Sequence, residues 1–370
     1  MLENNDDLRE ETAATTVSLA QAMTADDVVD YIVGPDVDMN GMNVSRRYPA
    51  EKSKMVITGW LFLGTVLSYL VGSTILGLLD KYVGLNWCLE MMLLQLFICG
   101  PVIVFTLVRS GKGRRGETFA ATFRLHKVDV GSMFLTALMM LMMMPLLTFV
   151  NLLSQLLTKY VASTEIINQA GDASFPAFFI SVAIIPAFSE EMLFRGFLYT
   201  QYRKRSILMA ALLTGLMFGL LHGNLNQMAY ALVMGFVFAM VDEAAGSTLP
   251  SMLMHLLVNG GSVIILYVSN KLTANNPELA QQVDDALANS SQTTPGVLIT
   301  FGILSVLGTY FAYLIYQTIA ERCEKWDDIC EKAKEPGKGK ALRSMLTTPL
   351  IAALVVLVGL VIAFEFTAYL

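Results

Sequence analysis

Two adjacent carboxylates, Glu190 and Glu191, are followed four residues later by Arg195; further on come His222, His255 and Asn259. All six lie in strongly apolar stretches of a 370-residue chain. On insertion scales an ionisable side chain at mid-membrane costs on the order of 3 kcal/mol. Residues of these types at such depth are therefore paired, or placed where water and chemistry reach them. Neighbouring residues of a helix point in different directions, so Glu190 and Glu191 face different partners. Glu191 and Arg195 share a face, and their spacing suits an ion pair. That pairing leaves Glu190 to face a cavity. Pro186, four residues before Glu190, leaves a carbonyl without its helical donor, and a kink there would admit water beside the carboxylate. His255 and Asn259 are also four apart and point the same way.

A glutamate, two histidines and an amide near water are suited to hydrolysis. Glu190 would take a proton from water as general base, with His222 orienting that water. His255 and Asn259 would donate hydrogen bonds to a developing oxyanion. Alternatively, Glu190, His222 and His255 would ligate a zinc ion that activates the water, although no His-Glu-x-x-His helix is present. Structural readings stand beside these. Glu191 with Arg195 would be a buried pair fixing helix packing, His222 an interfacial histidine, and His255 with Asn259 a hydrogen-bonded link to a neighbouring helix.

The elements that must position these groups are membrane spans. The chain is 55% hydrophobic and 15% charged, with mean hydropathy +0.56; soluble domains are nearer a quarter charged. With about 20 apolar residues needed per span, nine helices are expected near 55–79, 88–108, 131–153, 175–202, 206–222, 226–242, 249–268, 296–316 and 347–368. At roughly 1.5 Å per residue, Glu190 and His222 lie at similar depth from the turn Arg203-Lys204-Arg205. His255, counted from Pro250, is shallower, and a tilted or re-entrant helix is needed to bring it to them. Gly215 and Gly219 permit close helix approach.

Basic residues cluster before the first span and after the second, fourth and eighth, whereas the alternate loops carry only Lys81, Lys159 and Lys271. The positive-inside rule then puts the N-terminus in the cytoplasm and the C-terminus outside. Residues 1–40 hold ten acids and one base and read as a disordered tail, so the net charge of −6 reports that tail rather than a partner. Cys88, Cys99, Cys323 and Cys330 make no Cys-x-x-Cys pair. Cys323 and Cys330 are expected to share one surface helix with Ile319 and Trp326. The methionines at 139, 140, 142, 143 and 144 read as lipid-phase filler rather than a copper site.

The motifs Glu190-Glu191-x-x-x-Arg195, Phe218-x-x-x-His222 and His255-x-x-x-Asn259, in that order on separate helices, resemble the CPBP family. These are the intramembrane proteases associated with CAAX-prenyl processing and with bacteriocin processing or protection, also called the Abi family. The resemblance covers about 175–268. It implies an all-helical bundle with a cavity reaching into the bilayer, and a metallo- or metal-free glutamate endopeptidase. Glu190 would be its catalytic carboxylate, supported by Glu191 and Arg195; His222 would act on the water, and His255 and Asn259 would complete the site. The acidic tail and polar outer loop are not hallmarks of that family.

The expectation is thus an all-α polytopic membrane protein with an intramembrane catalytic cavity. Its parts are an acidic tail (1–54), N-terminal spans (55–174), catalytic helices (175–268) and a polar outer loop with the last spans (269–370). The expected partners are the lipid bilayer and a membrane-embedded or lipidated peptide or protein, with no nucleic acid, in a bacterial plasma membrane. Two other classes compete. A proton-coupled transporter would show internal repeats, and none is evident. A non-catalytic scaffold or immunity protein would use the same bundle without needing Glu190.

Overall fold

Long apolar helices account for nearly all of the computed structural model, which describes residues 47–111, 118–158, 173–274, 276, 278, 281, 282 and 294–369. The acidic tail up to residue 46, most of the polar loop 275–293 and the segment 159–172 lie outside the described residues. In chain order the helices are α1 (Arg47–Val83), α2 (Trp87–Gly111), α3 (Val130–Gln155) and the continuous helical segment α4 (Phe175–Tyr202). Then come α5 (Ile207–Leu221), α6 (Leu225–Ala245), α7 (Leu249–Ala274), α8 (Pro295–Arg322), α9 (Trp326–Lys334), α10 (Lys338–Met345) and α11 (Thr348–Tyr369). No strand occurs among the described residues.

The helix starts follow from side chains that satisfy first-turn amides. Asp129 accepts from Ser132 N at α3, Ser206 from Met209 N at α5, and Asn224 from Gln227 N at α6. Helix α6 stops at Gly246, whose φ of 68° is a conformation that glycine adopts without penalty.

Eight of these helices are long and apolar enough to cross a membrane. Of the nine expected spans the exception is α5, the fifth, which has 15 residues. It is therefore about 22 Å long, short of a bilayer core of about 30 Å. It turns back at Gly223 and packs along α6, with glycines at the contact. A Cβ on Gly219 would lie 2.7 Å from Met228 O, and one on Gly235 would lie 2.6 Å from Gly215 Cα. The close approach expected of Gly215 and Gly219 is therefore present, with Gly235 as its complement.

The basic connections converge on one end of the bundle. Thr248 N donates to Arg124 O, Arg203 pairs with Glu243, and Arg322 Nη2 stands 2.7 Å from Asp129 Oδ1. Cys323 and Cys330 do not share a helix. The chain breaks between α8 and α9, where Glu324 has φ 56°, and Trp326 folds back onto Tyr313 and Tyr316. Met139, Met140 and Met143 are buried in a core with Met234, Met254 and Phe238.

Candidate active site

Helix α4 is not a uniform α-helix. Two π-helical stretches, Ile180–Ile184 and Met192–Tyr199, flank the α-helical turn Ile185–Glu191. Such insertions are uncommon, and they re-aim side chains locally. Pro186 lies in the intervening turn, so Val182 O lacks its α-helical donor. Asn259 on α7 fills that position, its Nδ2 donating to Val182 O at 3.0 Å. A defect in one helix is thereby closed by a side chain from another.

Glu191 and Arg195 form the expected pair, with Oε1 3.1 Å from Nη1 and both side chains fully buried. The guanidinium is surrounded by aromatic faces, 4.5 Å from the centroid of Phe218, 5.3 Å from Phe238 and 5.7 Å from Phe194. Gly235 gives it room, since a Cβ there would lie 3.2 Å from Arg195 Nη2. Stacking suits a weakly hydrated guanidinium away from water.

Glu191 has a second partner that the spacing of residues does not reveal. His255 Nδ1 lies 2.8 Å from the same Oε1. A carboxylate accepts, so Nδ1 carries a hydrogen, and in the neutral imidazole Nε2 then presents a lone pair. That Nε2 stands 4.0 Å from Glu190 Oε2. On α5, His222 Nδ1 donates to Phe218 O at 2.9 Å, which leaves Nε2 of this imidazole unengaged by that bond. The two imidazoles flank the Phe218 ring, at 4.9 Å and 5.9 Å between centroids.

The depth mismatch expected for His255 is resolved by where the α6–α7 turn lies. Ser247 and Thr248 are fully buried beneath residues 123–126. Ser247 Oγ donates to His126 O and Thr248 Oγ1 to Phe123 O. The turn is thus covered by that segment, and His255, a few residues on, reaches Glu191 and faces Glu190. Asp242, buried at the end of α6, accepts from Ser251 N at 2.9 Å and Ser251 Oγ at 2.7 Å. A carboxylate there suits the positive end of α7.

Glu190 and Glu191 approach opposite nitrogens of the His255 ring, and the Glu190 side chain is 13% exposed. Its Oε1 accepts from Gln95 Nε2 of α2 at 2.8 Å. A cavity of about 370 Å³ opens between α2 and α4, lined by Cys99, Val102, Ile103, Phe188, Ser189 and Met192 among others, Glu190 not being one of them. Its wall is almost wholly apolar. Among the described residues, no group of three or more His, Cys, Asp or Glu side chains is gathered closely enough to hold a metal ion. In this arrangement Glu190, His222 and His255 do not form a ligand set.

The structure thus brings Arg195, His222 and His255 around Phe218, with Glu191 on Arg195 and His255 and Glu190 facing His255, and sets Asn259 against the backbone of α4. Two contributors, Gln95 and Phe218, are absent from the residues expected from sequence. Gln95 is an amide in an apolar run, and Phe218 belongs to a motif in which only the histidine had drawn attention.

A family model described as Type II CAAX prenyl endopeptidase Rce1-like matches residues 172–261, about a quarter of the chain. The match begins just before α4 and ends in α7, so it contains all six residues. It bears out the resemblance read from the three motifs. No curated protein matches the chain, and no solved structure does.

Proposed function

We propose that this integral membrane protein is an endopeptidase that hydrolyses a peptide bond in a membrane-embedded or lipidated peptide, with Glu190 activating the water. The observation that carries the proposal is the 4.0 Å gap between Glu190 Oε2 and His255 Nε2. Both atoms accept hydrogen bonds when Glu190 is ionised and His255 keeps its hydrogen on Nδ1. A single water can bridge such a gap, donating one hydrogen to each. Its lone pairs then face outward, toward a carbonyl carbon.

Glu190 removes the proton as the water oxygen adds to the carbonyl, and returns it to the departing amine. Glu191 holds His255 in the accepting tautomer, and Arg195 balances the charge of Glu191 away from the reacting atoms. His222, whose ring also packs on Phe218, would orient the water through Nε2. Asn259 Nδ2 keeps the kinked turn of α4 at its depth and has a second hydrogen for an oxyanion. No step here runs through a metal. The alternative in which zinc joins Glu190, His222 and His255 requires these side chains to regroup.

The cavity supports a substrate that arrives through the bilayer. Its apolar wall between α2 and α4 suits a hydrocarbon chain or an apolar segment, and it reaches Ser189, next to Glu190. The same reading puts the end bearing the basic loops in the cytoplasm of a bacterial cell.

The test is cleavage of farnesylated and unmodified peptides by detergent-purified protein, before and after chelation. Glu190→Gln is expected to lower turnover by about a thousandfold, with His222→Ala nearly as severe. Undiminished cleavage by Glu190→Gln would remove the proposal. Loss on chelation that zinc restores would favour the metal route.

A further inference from the structure

Gln95 interrupts an apolar run of α2, with Met91–Leu94 before it and Leu96–Cys99 after it, and it lies outside the matched segment. Its carboxamide is placed between neighbouring side chains of α4. Nε2 is 2.8 Å from Glu190 Oε1, and Oε1 is 2.8 Å from Ser189 Oγ. Ser189 Oγ is also 2.7 Å from Ile185 O. A hydroxyl has one hydrogen, so Ser189 donates to Gln95 or to Ile185, one at a time.

We propose that Gln95 is a positioning residue for Glu190, its carboxamide, itself fixed by Ser189, holding Oε1 of the ionised carboxylate so that Oε2 faces His255. The proposal rests on Glu190 being the water-activating base. With Glu190 ionised, Nε2 donates to it and the Ser189 hydroxyl donates to Gln95 Oε1. One oxygen of Glu190 is then held, and Oε2 is presented to His255 and the water. Once Glu190 has taken the proton, that hydrogen sits on Oε2, the oxygen turned to the water, and leaves from there to the departing amine, while Gln95 stays on Oε1. Without Gln95 the ionised carboxylate loses the donor that holds it in place.

Other charged or titratable groups whose fields reach Glu190 are Tyr69 of α1, Cys99 of α2, Arg195 of α4, His222 of α5 and His255 of α7. Glu191 adjoins it on α4. Gln95 stands apart from these groups in donating a direct hydrogen bond to Glu190, at 2.8 Å.

The experiment pairs cleavage of a farnesylated peptide with modification of Glu190 by an apolar carbodiimide, which adds to protonated carboxyl groups. Mass spectrometry of fragments separates Glu190 from Glu191. Gln95→Leu removes both hydrogen bonds and keeps the bulk. It is expected to lower kcat by roughly 10- to 100-fold, leave KM within about twofold, and speed modification of Glu190 several-fold at neutral pH. Ser189→Ala, a smaller change, is expected to move both readouts in the same direction by less. Combining the two should cost little more than Gln95→Leu alone, because they break one chain of bonds. Unchanged modification in Gln95→Leu would overturn the proposal, and so would faster modification with kcat intact. A wild type that cleaves nothing would instead sink the endopeptidase reading, while the modification rates would still decide whether Gln95 governs Glu190.

Discussion

His255 Nδ1 and Arg195 Nη1 meet the same oxygen of Glu191, at 2.8 Å and 3.1 Å. One carboxylate therefore ties α7 to α4 and sets the tautomer of the imidazole that faces Glu190. This divides the adjacent glutamates by environment. Glu191, with no exposure, is a fastening; Glu190, with 13% of its side chain exposed, is the group within reach of water.

That division predicts opposite stability effects at neighbouring positions. Arg195→Met leaves a buried charge on Glu191 with one fewer partner, and breaking a buried pair this way typically costs about 3–5 kcal/mol. A large fall in thermal midpoint in detergent is expected. The double change Glu191→Leu with Arg195→Met should regain much of that stability, since it removes both charges. It should not regain cleavage, because His255 has then lost the acceptor that orients it. Recovery of cleavage in the double variant would show that His255 needs no such partner.

At the end of the bundle outside the spans, Asp129 caps α3. Hydrogen bonds from the Ser132 hydroxyl, and then from Arg322, hold its carboxyl well below the usual carboxylate range. A carboxylate lowered on folding contributes stability that is present above its unfolded pKa, about 4, and is lost as pH falls through the folded value. Thermal midpoints measured from pH 7 to pH 3 should therefore fall less steeply in Asp129→Asn than in wild type, with the two curves parallel above about pH 5. The difference should be small, since Asp129 and Arg322 are each about half exposed and exposed pairs contribute little. Equal slopes below pH 4 would mean that the capping bonds do not distinguish the two forms of Asp129.

The spans were legible because lipid demands long apolar helices, and the pair Glu191–Arg195 because helical spacing dictates it. The site was legible as a set of residue types, but not as a network. Nothing in the spacing from Glu191 to His255 announces a 2.8 Å contact, which depends on the depth of the α6–α7 turn. That depth is set by backbone carbonyls of residues 123–126, which sequence alone does not place. Gln95 was overlooked because an amide in a helix is only weakly polar beside charges. The shortness of α5 was already visible in the expected range 206–222, whose end Gly223 and Asn224 mark.

The convergence of Arg124, Arg203 and Arg322 at one end gives a direct test of orientation. In a background with Cys323 and Cys330 changed to serine, Lys204→Cys should react with a membrane-impermeant maleimide only after cells are opened. Gly84→Cys, in the connection between α1 and α2, should react in intact cells. The reverse pattern would invert the topology. Reaction of both in intact cells would mean that one of the intervening helices does not cross.

Asn259 and Pro186 make the sharpest structural prediction. Asn259→Ala leaves Val182 O, half-buried in α4, with neither a helical donor nor an amide. An unsatisfied buried group costs about 1–3 kcal/mol, and cleavage should fall because the turn carrying Glu190 is no longer held. Asn259→Asp should be as harmful, since an ionised carboxylate does not donate. Adding Pro186→Ala to Asn259→Ala restores a backbone N–H that can reach Val182 O, so the thermal midpoint should recover. If cleavage recovers with it, Asn259 acts by shaping α4. If stability returns while cleavage stays at least about a hundredfold down, Asn259 also donates to the oxyanion. Measuring both quantities on the same three variants separates the roles.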